Sequence, residues 1–432
     1  MNNQTVPHDS GPKIYNLFPR LAGTVDHWYP HIERASDMGF NWLYINPFHP
    51  TGSSGSLYAI VDHFGFNPLF FGPVNHDNPE KELRKFLDEA HRLGLRVMAD
   101  LVINHTAKQS PLVKEHPDWY KRDEEGHLIH PGAMHKGKMV YWRDLAEIDN
   151  LESPDRDALW NYWLSVSRHY LELGFSGFRC DAAYQVPKDL WRFLIQELKA
   201  KSTGVTFFAE TLGCSVDQTL DVARSGFEYI FNSFKWWDYQ EPWFVDQHGR
   251  TRPVVPSVSF PESHDTARLA AELKDNLPQI KQRYLLSALI TKGVMIPIGF
   301  EFGFHTRLNV KTTTAEDWEP VRIDLVEFIR QVNRLKDTHG IFMSETPLRM
   351  IPHPNKNISL LLKTIEGQEH CLLLINKSKG QKARLEIDLA DVFPEPIGGI
   401  RDLSPERPLK KVPHVLDITL SPSEVKVLHH TR

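Results

Sequence analysis

From about residue 14 to residue 340, short apolar runs alternate with segments whose apolar residues recur at helical spacing. The runs 14–20, 42–48, 97–104, 177–183, 206–211, 229–234, 258–265 and 294–300 predict strands buried on both faces, and the stretches 25–38, 80–93, 155–173, 187–201, 216–224, 279–292 and 325–335 predict amphipathic helices. Asn78-Pro79 and Ser153-Pro154 read as helix starts, and Gly39, Gly94, Gly174 and Gly293 stand where a glycine ends a helix. Eight strands alternating with helices imply a parallel sheet, and eight close naturally into a (β/α)8 TIM barrel. A doubly wound open sheet is the competitor, and the strand count argues against it.

The pattern breaks twice. After the third strand about fifty residues separate Asn104 from the next helix near Asp155, where a connection usually takes 2–6. This insert is rich in His, Gly, Lys and Trp and is expected to wall a cleft. From residue 341 the periodicity changes to strict alternation, in 358–365, 370–376, 382–389, 415–420 and 425–429, which predicts an antiparallel β-sandwich. The expected division is a barrel made of 1–104 and 153–340, an insertion domain 105–152, and a C-terminal β domain 341–432.

Asp181, Glu210 and Asp265 each end one of the apolar runs. An isolated charge gains nothing from a core, because desolvating it is costly. Strand ends that open into a cleft tolerate it, and in a barrel that face carries the catalysis. Two carboxyl groups flanking one glycosidic bond are the equipment of a retaining glycosidase.

Bulk composition narrows the field. A chain of 432 residues is long enough for two or three structural units, and 41% hydrophobic with 24% charged residues is ordinary for a globular protein. A formal charge of −5 gives no reason to expect nucleic acid or an anionic membrane as partner. The segment Met1–Lys13 is polar without a signal pattern, and no apolar stretch approaches the roughly 18–20 residues that cross a bilayer. Cys180, Cys214 and Cys371 lack metal-ligand spacing and are expected to be reduced thiols of a cytoplasmic protein, Cys180 serving as packing. Oligomeric state is not legible in the sequence.

Four separated motifs give the chemistry a family resemblance. Asp100-Leu-Val-Ile-Asn104-His105, Gly177-Phe-Arg179-Cys-Asp181, the strand ending at Glu210, and Phe260-Pro-Glu-Ser-His264-Asp265 resemble, in order, the motifs of the α-amylase superfamily, glycoside hydrolase family 13. The likeness covers nearly the whole chain. It implies that Asp181 is the nucleophile, Glu210 the general acid and base, and Asp265 the group that holds the 2- and 3-hydroxyls. Arg179 would keep Asp181 ionised, with Asp100 supporting Arg179 from behind. His105 and His264 would bond sugar hydroxyls, Tyr58 would stack on a sugar ring, and Asp62 stands where the family has a supporting aspartate. The aromatic segment Phe234-Lys235-Trp236-Trp237-Asp238-Tyr239 is expected to line acceptor subsites, with Lys235 and Trp236 as binding residues.

The chain also departs from the family pattern. Ser263 replaces an Asn common in the fourth motif, and Ala-Ala-Tyr184-Gln185 follows Asp181 where calcium-dependent members have Lys-His. Asn104 is the one oxygen donor for Ca²⁺ that can be named, and a site needs several. The expectation is therefore no metal and no cofactor. The substrate implied is an α-glucan or maltooligosaccharide, hydrolysed or transferred. Gly55–Asp62 and Ala209–Gly213 resemble maltosyltransferase-type members that extend α-1,4-glucan from maltose 1-phosphate, although those enzymes are longer. A non-catalytic carbohydrate-binding relative is the third reading, and the persistence of all three acids weighs against it.

Overall fold

The computed structural model describes residues 11–72, 78–135, 138–239, 241–393 and 399–431. Most of the polar N-terminal segment, residues 1–10, lies outside them.

Eight parallel strands close a barrel in sequential order: β1 (Lys13–Leu17), β2 (Trp42–Ile45), β3 (Arg96–Leu101), β4 (Gly177–Cys180), β5 (Thr206–Ala209), β6 (Tyr229–Phe231), β7 (Ser257–Ser259) and β8 (Gly293–Pro297). Alternate side chains enter different cores. Ile14, Trp42, Tyr44, Met98, Phe208, Val258 and Met295 fill the barrel interior, whereas Leu43, Val97, Phe178, Cys180, Phe207 and Ile230 pack outward against the helices. Burial on both faces is what turned these strands into unbroken apolar runs.

The outer layer comprises α1 (Tyr29–Asp37), α2 (Pro79–Arg92), α3 (Arg156–Leu173), α4 (Lys188–Lys201), α5 (Val216–Ala223), α6 (Pro242–Thr251), α7 (Leu277–Ile290) and α8 (Val326–Thr338). In α2 the Asn78 side chain accepts the Lys81 N–H, and Leu83, Phe86, Leu87 and Ala90 form the buried stripe. Each large side chain so buried contributes about 1.5–3 kcal/mol. Gly39, Gly94 and Gly174 have the positive φ that such helix ends need. Gly293 does not: it opens β8, where a Cβ would lie 2.7 Å from a Val258 methyl. Close packing of β8 on β7 excludes a side chain there.

The end of α7 is finished by lysine instead. Lys336 Nζ, fully buried, donates to the carbonyls of Ala288, Thr291 and Phe342, and Lys363 Nζ donates to those of Leu289 and Ile290. Ammonium groups suit the negative end of a helix and satisfy its last carbonyls.

Four elements differ from expectation. The stretch 25–38 is a 3₁₀ turn, Val25–His27, followed by α1, because Pro30 fits only a first turn. Helix α6 was not foreseen, and neither were two C-terminal strands.

Between β3 and α3 the chain forms two ribbons, His105–Ala107 with Leu145–Glu147 and Gly132–His135 with Lys138–Tyr141. Beyond α8 the strands β9 (Leu348–Ile351), β10 (Ile358–Ile365), β11 (Glu369–Asn376), β12 (Ala383–Asp388), β13 (Arg401–Asp402), β14 (Val415–Leu420) and β15 (Val425–Thr431) make an antiparallel sheet ordered β9-β10-β11-β15-β13 and a ribbon β12-β14. Leu360, Leu372, Leu374 and Leu428 face Leu385, Leu416 and Leu420 of the ribbon, while Leu361, Leu373 and Val427 join the main core. No helix among the described residues is long and apolar enough to cross a membrane.

Candidate active site

Cys180 and Ala209 are partners across the parallel ladder, so Asp181 and Glu210 leave adjacent strands at the same level. Neighbouring strands lie about 5 Å apart, which sets the spacing of the two carboxyl-bearing backbones. Arg179 precedes Asp181 by two residues and projects to the same side. Its Nη1 donates to Asp181 Oδ1 at 2.6 Å and to Asp100 Oδ1 at 2.8 Å, and its Nη2 lies 3.8 Å from Glu210 Oε2. One buried guanidinium thus faces three carboxylates.

Glu210 is held by the backbone. Ala182 N–H donates to Oε2 at 2.9 Å and Leu212 N–H to Oε1 at 2.5 Å. Ala182 reaches this position with φ 40°, in the left-handed region, at a cost of about 1–3 kcal/mol for a residue with a Cβ. Burial pushes the Glu210 carboxyl up from 4.5 to about 8; the Arg179 charge opposes the rise, and Asp181 and Asp265 reinforce it. Burial also raises Asp181, but there Arg179 acts against it through both its charge and a direct hydrogen bond. Glu210 therefore keeps a proton at neutral pH more readily than its neighbour.

Asp265 is half exposed, with Oδ2 3.1 Å from His264 Nε2. That nitrogen lies 2.8 Å from the Tyr58 hydroxyl, which donates to Asp100 Oδ2 at 2.7 Å, and the two rings stack at 6.0 Å. Tyr44 donates to the same Asp100 oxygen at 2.5 Å. His105 Nε2 lies 3.2 Å from the Tyr58 carbonyl, and burial lowers this imidazole to about 4, leaving it neutral.

Tyr58, His105, Arg179, Asp181, Glu210 and Asp265 line one cavity of about 310 Å³ at the carboxyl ends of the strands, and His264 lies against them. Sequence reasoning missed part of the wall: Trp142 and Asp144 from the insert, and Lys311 from the loop after β8. Lys311 Nζ pairs with Asp144 Oδ2 at 3.2 Å and so joins two loops across the cavity. The Trp142-Arg143-Asp144 run was the available signal, without a strand to anchor it.

Asp62, Lys235 and Trp236 do not line this cavity. Asp62 caps its own turn, accepting the Phe64 N–H at 2.9 Å. Lys235 pairs with Glu272 at 2.6 Å, and Trp236 is 51% exposed outside the cavity. Phe234, Trp237 and Tyr239 pack beneath α6, with Trp237 Nε1 donating to Gln247 at 2.8 Å. These three rings serve packing.

Asn104, the candidate calcium ligand, lies just past the end of β3 beside the insert. Its amide donates to Gln185 Oε1 at 2.9 Å, and nearby Asn150 Oδ1 accepts the Trp163 N–H at 3.0 Å. Its own Oδ1 is buried without a hydrogen-bond partner among the described residues, and a Ca²⁺ site would need 6–8 oxygens.

A larger groove of about 800 Å³ separates α7 from the C-terminal strands, but it holds none of the motif residues.

A glucanotransferase-domain family of glycogen debranching enzymes matches residues 5–152. The chain is 26% identical over 335 residues to an alpha-1,4-glucan:maltose-1-phosphate maltosyltransferase of Burkholderia pseudomallei, which covers 75% of this chain and 29% of that protein. It is 22% identical to a maltogenic alpha-amylase of Bacillus acidopullulyticus, over 85% of this chain and 64% of the relative. The chain thus spans less than two thirds of either relative. An alpha-amylase structure from Lactobacillus plantarum superposes with a TM-score of 0.77 at 22% identity, covering 98% of this chain and 99% of that one.

Proposed function

We propose that this chain, an α-amylase-family protein with a likeness to the maltosyltransferase-type members, is a retaining enzyme that hydrolyses or transfers α-glucosidic bonds. The observation that carries the reading is the pairing of Asp181 and Glu210 at the same level of adjacent strands around one Arg179, with Glu210 raised to about 8.

In the first step the protonated Glu210 gives its proton to the leaving glycosidic oxygen. The Asp181 carboxylate attacks the anomeric carbon as that bond breaks, forming a glycosyl ester. Arg179 holds Asp181 ionised and aimed. In the second step the Glu210 carboxylate takes a proton from water or a sugar hydroxyl, whose oxygen displaces Asp181. Two displacements restore the original configuration. Asp265, Tyr58, His105 and His264 would hold the sugar at the cleavage position. The three free thiols, two of them buried, suit a cytoplasmic setting.

The test is turnover of α-glucosides by Asp181→Asn and Glu210→Gln. Rates within tenfold of wild type for either would end the assignment, and a wild type without turnover would favour a non-catalytic binding role. A second reading, maltosyl transfer from maltose 1-phosphate to α-1,4-glucan, is supported by the Burkholderia relative and by the Lys311 ammonium on the cavity wall. Incubation with maltooligosaccharides, with and without maltose 1-phosphate, separates the two. Phosphate release with chain growth supports transfer from the phosphorylated donor, and free sugars alone support hydrolysis.

A further inference from the structure

Away from the cavity, three side chains meet where the last barrel helix joins the C-terminal sheet. His339 directly follows α8, Glu369 opens β11, and His429 lies on β15. One ring nitrogen from each histidine and one carboxylate oxygen all lie within 4.8 Å of one another. His429 Nε2 is 3.0 Å from Glu369 Oε2, and the two imidazoles meet edge-on at 61°, their centroids 4.5 Å apart.

The spacing suits an ion. A tetrahedral centre with bonds of about 2.0–2.2 Å keeps its donors about 3.4 Å apart, so the observed set needs only a small contraction. Two of the donors sit on a rigid frame. Glu369 pairs with Thr431 and Cys371 with His429 in the β11–β15 ladder, which puts Glu369 and His429 on one face as diagonal neighbours. The Ile341 N–H donates to Glu369 Oε2 at 3.3 Å and fixes the carboxylate, as outer partners of metal ligands do. Among the described residues the His339 ring touches Phe342 and His429 but makes no hydrogen bond. A His–Glu hydrogen bond alone would explain two of the three residues and leave the third idle.

We infer that His339, Glu369 and His429 form a binding site for a divalent transition-metal ion of the zinc type, clamping the C-terminal sheet to the end of α8. Two imidazoles and one carboxylate select such an ion over Ca²⁺ or Mg²⁺, which take oxygen ligands. Three protein donors leave the fourth position to water. The ion would brace the two structural units, since none of its ligands reaches the cavity.

The experiment uses the full chain, stripped by chelator, dialysed, and titrated with Zn²⁺ and with Co²⁺. The expected result is one ion per chain, the visible absorption of tetrahedral Co²⁺, and a higher unfolding temperature with Zn²⁺ than without. His339→Asn removes a ring that bonds to nothing else and should fold normally, yet weaken binding at least about tenfold. Asp123→Asn, in the exposed Asp123–Glu125–His127 group, should leave binding intact. Absence of stoichiometric binding at about 50 μM metal would overturn the inference, as would binding that survives His339→Asn or disappears in Asp123→Asn.

Discussion

Replacing Glu210 by glutamine should make the protein less stable than wild type in acid and more stable in alkali. The folded chain holds the Glu210 proton more tightly than the unfolded chain, at about 8 against 4.5. Its contribution to stability is therefore complete below 4.5 and is lost as pH rises through about 8. At about 1.4 kcal/mol for each tenfold change in proton affinity, the full swing is roughly 5 kcal/mol. Two terms reduce what a variant will reveal. The side chain is 13% exposed, so water relieves part of the ionised form. Glutamine also turns an NH2 toward either the Ala182 or the Leu212 N–H, leaving one buried donor unmatched at about 1–3 kcal/mol. We expect Glu210→Gln to be about 1–2 kcal/mol less stable at pH 5 and about 2–3 kcal/mol more stable at pH 9. Urea unfolding followed by far-UV circular dichroism at pH 5, 7 and 9 measures both, and the two stability curves should cross between the extremes. Curves that stay parallel would refute the reasoning, because Glu210 would then titrate alike in the folded and unfolded chain. Activity should fall by about 10²–10⁴ in the same variant at neutral pH.

Other substitutions probe other links. Arg179→Lys shortens the reach to Asp100 and Asp181 and removes the second nitrogen that faces Glu210, and should cost about 3 kcal/mol in urea unfolding along with at least about a hundredfold in kcat/KM. Retention of either quantity would show that Arg179 is replaceable by a point charge. Lys311→Ala breaks an exposed pair, so stability should shift by less than about 0.5 kcal/mol, while chromatography should show longer donor chains accepted through the opened wall. Lys336→Met strands the carbonyls of Ala288, Thr291 and Phe342, and should destabilise by at least about 2 kcal/mol in the same unfolding assay.

The barrel was legible because β1–β8 are buried on both sides, which leaves a run of apolar letters that needs no tertiary information to be seen. The acids were legible for the complementary reason: Asp181 and Glu210 are charges where such runs stop. Connections beyond the strand ends were harder to read. Sequence could not show that α6 folds over residues 234–239, because its buried residues Phe244, His248 and Thr251 make a thin stripe interrupted by Gly249. Without that cover, aromatic rings next to a strand end look like a sugar platform. Asp144 and Lys311 stand 167 positions apart on irregular loops, and nothing local marks either as half of a pair. Arg401–Asp402 is a two-residue strand, too short to alternate.

Ala182 carries a consequence for anyone who modifies this protein. Its backbone stores strain next to Asp181, and its N–H holds the Glu210 carboxyl, so one turn ties together the two groups proposed to act on a single bond. A glycine there would relax that strain and raise resistance to heat, yet let Glu210 drift from its partner. Selection for robustness alone would favour the exchange and blunt catalysis, so thermal screens of libraries covering this turn need turnover as a second criterion.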